Sequence, residues 1–368
     1  MIQQLQHQSN TVSSASLAEP VVLCAADDNY VRPLAVTLQS AAQNLRAGNK
    51  LQVIVLDGGI SDENWIGLKE TMADLPIELF SIRPDVSEVA DLATSHHITH
   101  SAYLRLLAGR LLPESVEKAI YLDSDLLVCD DLSELWEIPL DGQLALAVPD
   151  IACPYVDARR VDCNFAKSSP YMATISPIPN WQELGLSPDE PYFNSGVMVL
   201  NVSRMREENL EHALIQCLRT NQRHVWCWDQ YALNVVFAGQ WNPLPLKWNQ
   251  GAHLFEFPSN DHCPIDQDEF EAARTNPSII HYTTEWKPWR FGNRHPLKHK
   301  YFEQLDQTAW SGWRPVKPDF SFAMAWQEFA TEFVKRWTIG YRKLTAVFHQ
   351  PTRPTQSTRP SGQNGTSP

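Results

Sequence analysis

The 368-residue sequence predicts an α/β fold: a mainly parallel, Rossmann-like sheet flanked by helices, followed by a C-terminal helical tail. Three observations lead there. Short apolar runs of strand length alternate with helical periodicity through residues 21–82. Several of these runs end on acidic or polar residues, as buried strands do where they reach a sheet edge. Beyond residue 320, aromatic and aliphatic residues recur at helical spacing beside a cluster of Lys and Arg.

Residues 21–25 form a continuous apolar run meeting Ala26-Asp27-Asp28-Asn29, a buried strand feeding a polar loop. Residues 32–44 are helical, with Leu34, Leu38, Ala41, Ala42 and Leu45 on one side. Residues 51–56 are the next strand and Gly58-Gly59 the turn. Residues 61–74 are a helix with Ser61 as its N-cap, and 77–82 a third strand. A helix over 101–112 precedes a strand over 118–122, and the apolar run resumes over 126–129 after Asp123-Ser124-Asp125. Between Pro149 and Pro191, prolines, cysteines and aromatic residues crowd without a period, an irregular insertion of the kind that shapes substrate pockets. A strand over 197–202, a helix over 206–220 and a short helix over 229–237 follow. Residues 1–20 and 350–368 are polar and read as disordered.

Composition narrows the class. The formal net charge is −13, which argues against nucleic acid as the main partner. No apolar run approaches the roughly 20 residues that span a bilayer. The seven cysteines are odd in number and scattered, with no C-x-x-C pair, which suits a reducing cytoplasm and excludes a cysteine zinc site of ordinary spacing. The N-terminus lacks the pattern of a signal peptide. The charge is uneven: Lys335, Arg336, Arg342, Lys343, Arg353 and Arg359 are met by no acidic residue from 333 onward.

Three segments carry candidate chemistry. Asp123 and Asp125 sit inside an apolar stretch, where carboxylates are costly unless they bind a cation or find donors. Two residues apart at a strand end, they can share one Mg²⁺ or Mn²⁺; a plain strand-end cap is the other reading. The loop Ala25-Ala26-Asp27-Asp28-Asn29-Tyr30 lies where an open parallel sheet binds ligands and could read a base and ribose, or form only an Asx turn. His281, after Ser278-Ile279-Ile280, could complete a metal site, with Lys287 neutralising a phosphate, or be a structural histidine.

These segments, with Phe193-Asn194-Ser195-Gly196-Val197 and Asp229-Gln230, stand in an order that closely resembles bacterial members of glycosyltransferase family 8, the lipooligosaccharide α-1,4-galactosyltransferases among them. The resemblance covers about residues 21–313. It implies a GT-A fold, a UDP-hexose donor, Mn²⁺ (with Mg²⁺ as the alternative ion), a glycan or glycolipid acceptor, and retention at the anomeric carbon. By position, Asp123, Asp125 and His281 resemble the metal ligands, and Ser124 stands between the two carboxylates in the donor-binding motif. Ala25, Asp27 and Asn29 match positions around uracil and ribose, and Arg105 an arginine near the donor sugar and phosphates. Asn194, Asp229 and Gln230 match residues around the hexose, Lys287 the lysine on the diphosphate, and His97 a histidine near the acceptor. Gln230, a poor nucleophile, stands at the position where a double displacement needs a carboxylate, so front-face transfer is expected. One departure is Thr284, where relatives often have Gly close to a phosphate.

In the tail, residues 314–349, Trp326, Phe329, Ala330, Phe333, Val334, Trp337, Tyr341, Leu344 and Phe348 share a helical stripe, with Lys335, Arg336, Arg342 and Lys343 away from its centre. Such a helix suits an interfacial anchor on anionic lipid at the inner face of the plasma membrane. The competing reading packs the apolar stripe on the body, with Gly340 as a break. Two other functions compete as well: a glycogenin-like primer glucosylated on Tyr155 or Tyr171, and a nucleotide-sugar-binding regulator without turnover.

Overall fold

The computed structural model describes residues 19–93, 99–162, 164–284, 287–317 and 322–346. Ten strands are formed among them: β1 (Val21–Ala26), β2 (Leu51–Asp57), β3 (Ile77–Ile82), β4 (Lys118–Leu122), β5 (Leu126–Val128), β6 (Ala145–Pro149), β7 (Phe193–Asn201), β8 (Trp241–Pro243), β9 (Gln250–Gly251) and β10 (Ile279–His281). Seven make the main sheet, in the order β3-β2-β1-β4-β7-β6-β8. The first four run parallel, while β7 is antiparallel to both its neighbours. A small second sheet has the order β5-β10-β9.

The inner strands read as unbroken apolar runs because each feeds two cores. Leu23, Ala25, Ile54 and Leu56 face one cluster, with Tyr103, Leu104 and Leu107 of the 3-10 helix His100–Leu107. Val22, Cys24, Val53 and Val55 face the other, with Leu34, Leu38 and Ala41 of helix α1 (Val31–Gln43) and Leu68 of helix α2 (Asp62–Met72). Side chains alternate across a strand, so a strand covered on both faces is apolar at every position. Ser61 caps α2 by accepting from the Asn64 N–H at 3.4 Å, as its position predicts.

Three expectations are corrected. The segment over 101–112 is not one α-helix: it runs as the 3-10 helix His100–Leu107 and continues in the α-helical turn Ala108–Leu111. The helix over 206–220 is two, Val202–Glu207 and Leu210–Thr220, broken at Asn209, which takes the left-handed φ of 50° that asparagine tolerates. Strand β7 begins at Phe193, before the expected 197, because Phe193 and Asn194 pair with Pro149 and Val148 beyond a register shift at Ala147/Val148, where residues 195–197 of β7 are the extra ones. Such an irregularity re-aims side chains, here those of the Asn194 segment.

The C-terminal helix Phe322–Ala346 passes through Gly340 without a break and rests Arg342 and Lys343 against the body. Arg342 donates to the carbonyl of Ser169 at 3.1 Å, and Lys343 lies 5.4 Å from the Tyr171 ring centroid. Phe333, Val334, Trp337, Tyr341 and Leu344 are all more than half exposed. From residue 333 to 344 the apolar stripe is therefore not packed on the body, which corrects that reading for this part of the helix. No helix among the described residues is long and apolar enough to cross a membrane.

Candidate active site

Parallel sheets bind ligands beyond their strand ends, where neighbouring strands lead their connections apart. Here that place lies between β1 and β4. The tripeptide following β4 is pinned there residue by residue. Asp123 N–H donates to the Gly196 carbonyl of β7 at 2.8 Å. The Ser124 hydroxyl donates to the Ala25 carbonyl at the end of β1 at 2.8 Å, and its own carbonyl accepts from Thr37 of α1 at 3.1 Å. The Asp125 carbonyl accepts from Tyr282 N–H at 3.0 Å, just past β10. The backbone of this turn is thus set by two sheets and a helix at once.

Each carboxylate has one oxygen tied to a cation. Asp123 Oδ1 accepts from Arg105 Nη2 at 2.6 Å and from the Tyr121 hydroxyl at 3.0 Å, and the guanidinium lies 4.3 Å from the Tyr121 ring centroid. Asp125 Oδ2 is held by the buried ammonium of Lys287, which also donates to the Tyr282 carbonyl at 2.7 Å. The remaining oxygens converge on His281 Nε2, which lies 3.9 Å from Asp123 Oδ2 and 3.2 Å from Asp125 Oδ1. One atom from each of the three residues fits within 4.8 Å of the others. Asp125 Oδ1 is buried with no hydrogen bond of good geometry beyond that approach of His281 Nε2, a costly state for a carboxylate unless something else occupies it.

Burial, the largest influence on Asp125, pushes its carboxyl up, but Lys287 and His281 outweigh it and hold the group well below the usual range. Two hard oxygens and one imidazole nitrogen are a donor set that suits Mn²⁺ and tolerates Mg²⁺. Gly196 leaves the room: a Cβ there would come within 2.8 Å of His281 Nδ1 and 2.9 Å of Asp123 Oδ2.

Beside this cluster lies a second group in which amides meet buried carboxylates. Asp229 and Gln230 open the helix Trp228–Val236, behind Trp228 in a left-handed φ of 42°. For so bulky a residue that conformation is strained, a feature that gathers at functional sites. Asp229 Oδ2 lies 3.1 Å from Arg105 Nε, so the buried arginine bridges the two groups. Burial raises the Asp229 carboxyl to about 6, Arg105 pulling back against it. Gln230 Oε1 accepts from Ser195 N–H at 3.1 Å, while its Nε2 donates to Asp150 Oδ2 at 2.9 Å. Asn194 donates to the same Asp150 oxygen at 3.2 Å.

The structure therefore gathers Arg105, Asp123, Asp125, Asn194, Asp229, Gln230, His281 and Lys287 into one place. Ser124 is turned inward, and the Ala25 carbonyl already accepts its hydroxyl. Asp27 does form the Asx turn, accepting from Asn29 N–H at 2.9 Å; Asn29 is exposed and Asp27 partly so, both within reach of solvent. His97 lies outside the described residues. Two residues escaped sequence reasoning. Asp150 had a signal, a carboxylate one residue past the apolar run of β6. Asn249 had none, since the strand it precedes is two residues long.

Residues 21–292 match the family described as Glycosyl transferase family 8. General stress protein A of Bacillus subtilis (strain 168) is 28% identical over 294 residues, 79% of this chain and 94% of its own length. The lipopolysaccharide 1,2-glucosyltransferase of Escherichia coli (strain K12) is 24% identical over 287 residues, 77% of each chain. Among solved structures, the galactosyltransferase LgtC in complex with donor and acceptor sugar analogs shares the fold, with a TM-score of 0.62 at 22% identity, covering 84% of this chain and 99% of that one. With the mixed sheet, its helical flanks and the acidic group at the strand ends, these likenesses agree: the chain belongs to glycosyltransferase family 8 and has a GT-A fold.

Proposed function

We propose that the chain is a retaining hexosyltransferase that moves galactose or glucose from a UDP-sugar to a glycan or glycolipid acceptor. The observation that carries the reading is the convergence of Asp123 Oδ2, Asp125 Oδ1 and His281 Nε2, each carboxylate having its other oxygen tied to Arg105 or Lys287. These three residues would hold Mn²⁺, or Mg²⁺ in its place. When bound, such an ion supplies Lewis-acid stabilisation of charge on the departing diphosphate.

The chain's own residues do the rest. Asp27 and Asn29, at the end of β1, are the side chains for ribose and base. Lys287 keeps a positive charge beside the site, where it favours a diphosphate leaving group. Asn194, Asp229 and Gln230 offer donors and acceptors for hexose hydroxyls and so limit the face open to the acceptor. Gln230 is an amide, the Asp150 oxygen nearest it already takes two hydrogen bonds and Asp229 is paired with Arg105, so none of the three is a ready nucleophile. Front-face transfer, with the leaving oxygen taking the acceptor's proton, follows from that. A glycosyl adduct trapped on Asp229 or Gln230 would overturn it.

The test is a donor screen on the full chain: UDP release from UDP-galactose and UDP-glucose, with MnCl₂ or EDTA, with and without simple galactosides and glucosides. Metal-dependent release, with an α-linked product by NMR coupling, supports the reading. Mn²⁺-dependent UDP binding without transfer from any donor would favour a regulator instead, and mass gain on the chain itself a self-glucosylating primer.

The exposed aromatic side of the C-terminal helix supports a peripheral membrane contact that brings the enzyme to a lipid-linked acceptor on the cytoplasmic face. Arg342 is taken up by the body, while Arg336 stays exposed, so that contact combines apolar insertion with attraction to anionic lipid. Flotation with liposomes should retain the full chain and lose a truncation ending at residue 319. Equal binding by both would remove the helix from this role.

A further inference from the structure

One line of hydrogen bonds runs from the cation cluster to the amide group. His281 Nδ1 lies 2.8 Å from Asn249 Oδ1. Asn249 Nδ2 donates to Asn194 Oδ1 at 2.9 Å, and Asn194 Nδ2 donates to Asp150 Oδ2 at 3.2 Å. Asp150, Asn249 and His281 are each less than a tenth exposed, so water does not readily substitute for these partners.

The polarity of the line is fixed at its far end. Gly196 N–H donates to Asn194 Oδ1 at 3.0 Å, and a backbone N–H can only donate. Asn194 must therefore point its oxygen at Gly196 and its NH₂ at Asp150, whose other oxygen accepts from Ala152 N–H at 2.9 Å. The same Asn194 oxygen faces Asn249, which must meet it with NH₂ and so turns its own oxygen to His281. An amide oxygen can only accept. His281 Nδ1 must then carry a hydrogen, which leaves Nε2 as the nitrogen whose lone pair can bind a metal.

We propose that Asn249 is a positioning residue: held through Asn194 by the buried carboxylate of Asp150, it keeps a hydrogen on His281 Nδ1 so that Nε2 is presented with Asp123 and Asp125 to a divalent cation. The proposal deepens the cation reading given above and rests on it. The placement of the ring hydrogen, however, can be measured with no cation, donor or acceptor present.

Two substitutions separate the contribution of the acceptor from mere packing. Asn249→Ala removes the acceptor. Asn249→Asp keeps an oxygen for Nδ1–H, loses the donor to Asn194 and adds a negative charge beside the ring. In the full chain labelled with ¹⁵N-histidine, the His281 resonances are assigned by their loss in His281→Gln. The native protein and Asn249→Asp should show a hydrogen on Nδ1, and Asn249→Ala should lose that preference. Mn²⁺ affinity, read from the EPR signal of the free ion, should fall about 10–100-fold in Asn249→Ala and be restored in Asn249→Asp. Thermal unfolding establishes that each variant is folded.

A hydrogen on Nε2 alone in the native protein would overturn the proposal. So would a folded Asn249→Ala that matches the native protein, or an Asn249→Asp as weak as Asn249→Ala. If the native protein binds no Mn²⁺, the cation reading falls and the Nδ1 hydrogen alone decides for or against Asn249.

Discussion

The two halves of the site meet at Arg105 and are built on opposite principles. On one side, Asp123, Asp125 and Lys287 concentrate charge around the His281 ring, and Asp125 is held well below the usual carboxylate range by Lys287 and His281 against its burial. On the other, Asn194 and Gln230 are neutral amides. The Asp229 carboxyl there is raised to about 6 by burial, with Arg105 only partly offsetting it. The contrast follows the ligands. A cation and a diphosphate demand fixed charge, whereas sugar hydroxyls are told apart by hydrogen bonds that an excess of charge would blur.

The comparison breaks most sharply at Asp125. Asp125→Asn keeps the shape but removes the charge that Lys287 and His281 answer, and it replaces one of the two oxygens with an NH₂. Transfer should fall on the order of a hundredfold or more, together with Mn²⁺ affinity. Activity lost with affinity unchanged would place the cation elsewhere. Gly196→Ala attacks the same half by crowding alone, since its Cβ would press on the His281 ring and on Asp123 Oδ2. Cation affinity should fall about tenfold or more while the protein stays folded, measured by EPR and thermal melts. Little change would mean that β7 yields there.

The other half is sharpened by pH. The folded protein holds the Asp229 proton more tightly than the unfolded chain, whose aspartate titrates near 3.8 against about 6 in the fold. Its contribution to stability is therefore complete below 3.8 and is lost as pH rises through about 6, amounting to about 3 kcal/mol at most. Activity runs the other way, because the ionised carboxylate is the better acceptor for a hydroxyl. Asp229→Asn should flatten the fall in stability across this window and lower kcat/KM on the order of tenfold. Denaturant titrations at stepped pH check the first and rate profiles the second. An unaltered stability profile would show that another group titrates.

The charged half was far more legible in the sequence than the amide half. Asp123 and Asp125 announce themselves because carboxylates inside an apolar run need a physical reason, and His281 follows a strand in the same way. Amides carry a smaller cost, so Asn249 looks like any loop residue until β9 and β10 pair in parallel and bring it to His281. Asp150 ends a strand as visibly as Asp123 does, but Pro149 and the aperiodic stretch beyond it hid that strand's place in the sheet. The alternation of strands and helices was readable through β3. The antiparallel course of β7 was not, because strand direction depends on pairing partners and not on residue pattern. The helical wheel of the tail puts Phe333, Trp337, Tyr341 and Leu344 on one side, but a wheel holds no information about which side meets the body.

The smallest expected effect lies on the charged side, at Thr284. Its φ of 68° is left-handed, a conformation that glycine adopts freely and that costs a β-branched residue about 1–2 kcal/mol. Replacing it with glycine relieves that strain but frees the unfolded chain, which returns about 0.4–1 kcal/mol. The relief is the larger quantity, so Thr284→Gly should raise stability by about 1 kcal/mol or less. Thr284→Ala, which sheds the branch but keeps a Cβ in the left-handed region, should fall between glycine and threonine. The functional consequence is separable from the stability. If the backbone here lies close to a phosphate, as the resemblance implies, removing the side chain should also tighten UDP binding in the presence of Mn²⁺, by calorimetry. A glycine variant that is more stable but binds UDP no better would assign the left-handed turn to the fold alone. One that binds better would make Thr284 a residue that limits donor affinity on the charged side.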